Sequence, residues 1–126
     1  MPARLDHLIL AVNDREKSVG FYTRILGFAY EGEREPFSVL RVSPDLVLQL
    51  APWGSKGGEH LAFALPREEF EHVFRRVREA GIPFGDAFDS VGNQRGPGEA
   101  EGARGAWQAV YFFDPSQHLI EIAYYE

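Results

Sequence analysis

The chain has no cysteine, which excludes disulfides, thiolate nucleophiles and structural zinc sites of the cysteine type. It also lacks a basic excess: 13 Lys and Arg against 19 Asp and Glu leave a formal charge of −6. Binding to a nucleic-acid backbone needs a clustered basic face. The one dense basic group, Arg75-Arg76 with Arg78, is interleaved with Glu71 and Glu79 like the solvated side of a helix, so no nucleic-acid partner is expected. No apolar run approaches the length of a membrane span, and no membrane partner is expected. The opening MPARLDHLIL has too short an apolar stretch for a secretory leader and no small-residue cleavage site, which makes the cytoplasm the default location. What is present is 126 residues, 44% of them hydrophobic, a length that suits one domain with its own core.

Residues 6–12, DHLILAV, are nearly repeated at residues 59–65, EHLAFAL. The first strand ends at the helix-capping pair Asn13-Asp14, and the next segment places Val19, Tyr22, Ile25 and Leu26 on one helical stripe before Gly27. The second ends at Pro66, and Phe70, Val73, Phe74 and Val77 follow at i, i+3, i+4, i+7 before Gly81. His7 and His60 are 53 residues apart, Gly27 and Gly81 are 54 apart, and the agreement indicates an internal duplication. Strand-like segments follow each helix: 28–31, 38–42 and 45–50 in the first half, and 83–84 with its neighbours, 107–113 and 118–124 in the second. Each half therefore reads β-α-β-β-β, an α+β fold of two tandem modules over residues 1–52 and 59–126, joined by a glycine-rich linker at 53–58. Neither half alone covers both faces of its sheet, so the two are expected to pack together. The glycine- and charge-rich insertion from Gly92 to Gly105 reads as a long mobile loop, either a surface excursion or a lid.

Polar residues interrupt strands that are otherwise apolar on both faces. Side chains alternate across a strand, so His7 shares a face with Ile9 and Ala11, His60 with Ala62 and Ala64, and Glu121 with Leu119 and Ala123. Such strands are expected to be buried on both sides. A buried ionised carboxylate without a partner costs several kcal/mol, and no neighbouring Lys or Arg pattern supplies a charge for Glu121. Two histidines and one carboxylate with open positions left over is a metal-binding arrangement used by non-haem iron oxygenases. Overlaying residues 45–50 on the final strand puts Gln49 where Glu121 stands. His7, Gln49, His60 and Glu121 thus mark a candidate metal site at the seam between the halves. His72, on the charged side of its helix, and His118, on the strand face opposite Glu121, read as bystanders.

LDHLILAV, GFYTRILGF, EHLAFAL and YFFDPSQHLIEI together resemble the vicinal oxygen chelate superfamily, which includes glyoxalase I, bleomycin-resistance proteins, fosfomycin-resistance thiol transferases, methylmalonyl-CoA epimerase and extradiol dioxygenases. GARGAWQAVYFFDP further resembles a glyoxalase-domain subgroup. The resemblance covers essentially the whole chain and implies a curved, partly open mixed sheet, a homodimer, and a divalent ion held by His7, His60 and Glu121. Gln49 would then be a fourth ligand or bond a bound water or substrate. The ion would be Fe, Mn, Ni, Co or Zn, since imidazole and carboxylate accept all of them. Glu121 and Gln49 would serve the chemistry, and Arg41, Trp107 and Tyr111 would contact substrate. Ile9, Gly105 and Ala109 replace hydroxyl residues of the fosfomycin enzymes, while Tyr111 is retained, which argues against fosfomycin as substrate.

The expected function is a metal-dependent enzyme, a glyoxalase-type lyase or isomerase or a dioxygenase, acting on a small oxygenated metabolite chelated through two oxygens. The alternatives are a metal-free binding protein of the bleomycin-resistance kind and a scaffold kept for interaction alone.

Overall fold

The structure, a computed structural model, describes residues 2–126. Its contacts divide the chain into one unit ending at Lys56 and a second from Gly57 to Glu126. The first unit runs β1 (His7–Ala11), α1 (Arg15–Arg24), β2 (Ala29–Arg34), β3 (Phe37–Ser43) and β4 (Leu46–Ala51). The second runs β5 (His60–Ala64), α2 (Arg67–Glu79), β6 (Phe84–Gly85), β7 (Gly98–Gly102), β8 (Gly105–Phe113) and β9 (Leu119–Tyr125).

In the first unit the strand order is β1-β4-β3-β2, with β1 parallel to β4 and the other pairs antiparallel. The Asp14 carboxylate accepts the Lys17 N–H at 3.0 Å and so starts α1, while Asn13 Oδ1 accepts the Ser55 N–H at 2.7 Å. The helix buries Ser18, Phe21 and Tyr22, and the expected stripe residues Val19 and Ile25 are only half-buried. Tyr22 meets Phe21 edge-on at 5.1 Å and stacks on Phe28 at 6.2 Å. Leu10, Leu40, Leu48 and Leu50 complete this core. Gly27 then turns the chain with φ +80°, a conformation that favours glycine.

In the second unit the order is β5-β9-β8-β6, with β5 parallel to β9 and β7 paired to β8. The α2 residues Phe70, Val73, Phe74 and Val77 are buried as their spacing predicts. Phe70 meets Tyr124 edge-on at 4.9 Å, and Phe74 meets Phe84 at 5.0 Å.

The duplication holds at the level of register. On β1–β4, His7 lies opposite Val47 with Gln49 two residues on; on β5–β9, His60 lies opposite Leu119 with Glu121 two residues on. Gln49 and Glu121 therefore occupy equivalent positions in their sheets.

The structure corrects three expectations. The segment 92–105 is a loop only in its first part, residues 92–97: Gly98–Gly102 is a strand that returns to β8 through a two-residue turn. Its glycines reflect close approach rather than mobility. A Cβ on Gly98 would lie 2.6 Å from the Asp86 carbonyl oxygen, and one on Gly102 would lie 2.7 Å from the Trp107 ring. Second, β1 and β5 are not buried on both faces. Ile9 is 46% exposed, and His7, His60, Ala62 and Ala64 are exposed, each on a strand at the edge of its sheet. Third, the segment around Pro83-Phe84 shrinks to the two-residue strand β6.

The packing of β7 makes a direct prediction. Gly98→Ala overpacks the Asp86 contact and lowers the unfolding free energy by about 1–3 kcal/mol in urea titrations. A mobile excursion would leave it unchanged.

Candidate functional site

Glu121 lies mid-strand on β9, which is flanked by β5 and β8. Its residue exposure is only 5%. Three groups reach its carboxylate. Tyr111, directly opposite on β8, donates its hydroxyl to Oε2 at 3.1 Å. Trp107, four residues back on the same face of β8, donates Nε1–H to the same Oε2 at 2.9 Å. His60, on the other neighbouring strand, sets Nε2 2.9 Å from Oε1 and donates when the ring carries its proton there. The His60 side chain is 48% exposed against 6% for that of Glu121, so one oxygen of the carboxylate faces the interior and the other an accessible imidazole.

The Trp107 ring is fixed from several sides. It packs against Tyr125 at 5.0 Å and lies over Gly102 of β7. Tyr125 is itself anchored at the β7–β8 turn: its hydroxyl accepts the Arg104 N–H at 3.0 Å, and the Arg104 guanidinium sits 4.4 Å over its ring. Trp107, Ala109, Tyr111 and Ala123 form a buried cluster on this face. Burial, then the nearby Glu121 charge and their hydrogen bond, push the Tyr111 phenol up to about 12.

In the first unit His7 Nδ1 sits 2.8 Å from Asp6 Oδ2, and the side chain is 47% exposed. Gln49 shares its sheet face with Ile9 and Val39, its ladder neighbours, and is half-buried. Arg41 lies next to Val47 on that face, but Glu31 holds it at 3.1 Å through two nitrogens and the Ser43 and Pro44 carbonyls accept from a third. A cleft of about 570 Å³ lies here, lined by Arg4, Asp6, Arg41, Pro44, Asp45 and Val47. His118 is buried, its Nδ1 accepting the Glu59 N–H at 3.3 Å, and His72 lies 3.8 Å from Glu69.

The structure thus joins His60, Glu121, Trp107 and Tyr111 into one site, and places His7, Gln49 and Arg41 on one face of the first unit. Within either unit, no group of three or more His, Asp or Glu among the described residues draws together around a common point. The donor set of His60 and Glu121 nevertheless fits a divalent ion. An imidazole nitrogen and a carboxylate oxygen face each other across 2.9 Å, and the partners of Oε2 are uncharged donors. The sequence reading assigned Trp107 and Tyr111 to substrate contact and missed them as carboxylate donors. The available signal was their i, i+4 spacing on the β8 face that pairs with Glu121, each ring carrying one polar hydrogen.

The Tyr111 environment fixes a pH response of the metal-free protein. A phenol whose folded value is raised above the ordinary 10 adds stability below pH 10 and loses it as pH climbs toward 12. Alkaline unfolding curves between pH 10 and 12 are accordingly expected to be shallower for Tyr111→Phe than for wild type. Equal slopes would mean that the phenol ionises freely.

The family profile described as "Glyoxalase/Bleomycin resistance protein/Dioxygenase superfamily" matches residues 4–122. The glutathione transferase FosA of Serratia marcescens is 30% identical over 125 residues, covering 94% of this chain and 78% of that protein. The virulence protein STM3117 of Salmonella typhimurium (strain LT2) is 28% identical, covering 97% of this chain and 84% of that one. Among solved structures, oxidase ChaP-H1 superposes with a TM-score of 0.81 at 28% identity, covering 99% of this chain and 98% of that one. The chain belongs to the glyoxalase, bleomycin-resistance and dioxygenase superfamily.

Proposed function

We propose that the protein is a divalent-metal-dependent enzyme for a small oxygenated metabolite bound through two of its oxygens, with His60 and Glu121 as ligands from the second unit and His7 as the third. The observation that carries this is the buried Glu121 carboxylate, which turns Oε1 toward the half-exposed Nε2 of His60 at 2.9 Å. When bound, the ion supplies Lewis acidity for negative charge that develops on a substrate oxygen, as in a lyase, isomerase or dioxygenase.

The chain's own groups divide the remaining work. The buried donors Trp107 and Tyr111 hold Glu121 in place and keep water from Oε2. His60, whose ring is accessible, would give up its bond to Oε1 in order to hold the ion. His7 sets Nδ1 2.8 Å from Asp6 Oδ2, and an imidazole that ligates through one nitrogen usually bonds a carboxylate or carbonyl through the other. Gln49 offers an amide to a bound water or substrate on the same face. Arg41 would meet an anionic substrate only by releasing Glu31. The protein acts as a homodimer.

A metal-free binding protein is the second reading, favoured by one observation: three protein donors already satisfy Glu121. Elemental analysis of protein purified without a histidine tag separates the two. Near-stoichiometric Fe, Mn, Ni, Co or Zn is expected in wild type, with loss in Glu121→Ala and in His60→Ala. Absence of metal from wild type purified in metal-supplemented medium would favour the binder. With the ion known, methylglyoxal–thiol adducts, catechols and acyl-CoA epimers are the substrates to screen, with fosfomycin and glutathione as the contrasting pair.

A further inference from the structure

We propose that Trp107 and Tyr111 are positioning residues that clamp Oε2 of Glu121, so that the carboxylate presents Oε1 alone to a divalent ion. The inference rests on the metal reading above and refines it. Both donors converge on one oxygen, at 2.9 and 3.1 Å, and match in number the two hydrogen bonds it can accept. Among the described residues, the other oxygen finds its hydrogen-bond partner in the accessible His60 ring.

The clamp is built in rather than incidental. Tyr111 is set across from Glu121 by the β8–β9 ladder. The Trp107 indole is confined by Tyr125 and by Gly102, where any larger residue would press into the ring. The β7–β8 hairpin is the element that holds Gly102 and Tyr125's partner Arg104 in place. The equivalent position in the first unit has no such device: Gln49 faces Val39 where Glu121 faces Tyr111. That contrast ties the donors to the carboxylate rather than to the fold.

The consequence is chemical. A carboxylate that ligates through both oxygens fills two coordination positions, whereas one restricted to Oε1 fills a single position. The clamp therefore keeps a further position for a substrate oxygen, which chelation through two oxygens requires. Trp107 and Tyr111 touch the ligand and not the reacting atoms, so their effect is to be read on the ion and on the indole.

The test uses Mn²⁺ alone as probe, with Trp107→Phe, Tyr111→Phe and the double variant, each of which keeps an aromatic ring and removes the polar hydrogen. In the metal-free protein, the Trp107 indole proton resonance, assigned by its loss in Trp107→Phe, should move upfield in Glu121→Gln. The calorimetric Kd for Mn²⁺ should rise about tenfold or more in the single variants, the range expected for lost outer-shell partners. Water-proton relaxation should report one fewer water on bound Mn²⁺ in the double variant. Unchanged affinity and hydration in every variant, or an indole resonance indifferent to Glu121→Gln, overturns the clamp while leaving the metal reading intact. An indole that responds in a wild-type protein that binds no Mn²⁺, Co²⁺ or Fe²⁺ overturns the metal reading and the ligation role together.

Discussion

A carboxylate buried on an interior strand is the constraint around which the second unit is arranged. Moving an ionised carboxylate out of water costs several kcal/mol even after relaxation. Hydrogen bonds to a charged group return about 1.5–3 kcal/mol each. Glu121 has three such contacts and no Lys or Arg among them. Each contact imposes its own structural demand. Tyr111 must lie in register on β8, Trp107 must lean along the face, and His60 must stand on the strand at the other side. The hairpin that confines Trp107 is part of the same requirement.

The duplicated architecture shows what this arrangement adds to the bare scaffold. Two sheets with the same parallel pairing place Gln49 and Glu121 at equivalent points. The first carries a neutral amide beside apolar Val39, and the second a carboxylate beside Tyr111. A neutral side chain at half-burial needs no special donors, whereas a buried charge does. The first unit contributes something different: an exposed imidazole with an acidic neighbour, His7 with Asp6. One module thus carries a buried carboxylate held by three partners, and the other an exposed imidazole beside an acid. The similarity to a glutathione transferase and to an oxidase fixes the superfamily, but the chemistry belongs to the site, since one fold hosts many activities.

Much of this was legible in the sequence, for identifiable reasons. The two His-strand-helix runs revealed the duplication because the apolar period of α2 and the recurrence of histidine after an acidic residue survive divergence. Glu121 stood out because alternation on β9 leaves no polar partner in its own strand. Long-range pairing was not visible: nothing in GAWQAVYFF says that an indole N–H and a phenol converge on one oxygen fourteen and ten residues downstream. The segment 92–105 misled because glycine density looked like mobility. The small–charged alternation of Gly98-Glu99-Ala100-Glu101-Gly102 is in fact a strand pattern, with small residues turned toward Trp107 and Asp86. The two-sided apolar texture of β1 and β5 misled differently, since it suggested interior strands where the sheets have edges.

Edge placement of the histidines has a consequence for how such a site works. An interior strand is held by ladders on both sides, so a group mounted on it is fixed in position and easily desolvated. An edge strand has one free side, and a ring mounted there stays reachable and free to turn. His60 and His7 both stand on edges, whereas Glu121 stands between β5 and β8. A site that must keep a charged ligand dry and yet admit an ion and a substrate needs both properties at once. Interchanging the residues would fail on either count: a carboxylate at an edge would be solvated and weakly positioned, and an imidazole locked between Trp107 and Tyr111 would have no free nitrogen to offer. The order of strands therefore decides which of these groups is dry and fixed and which is accessible.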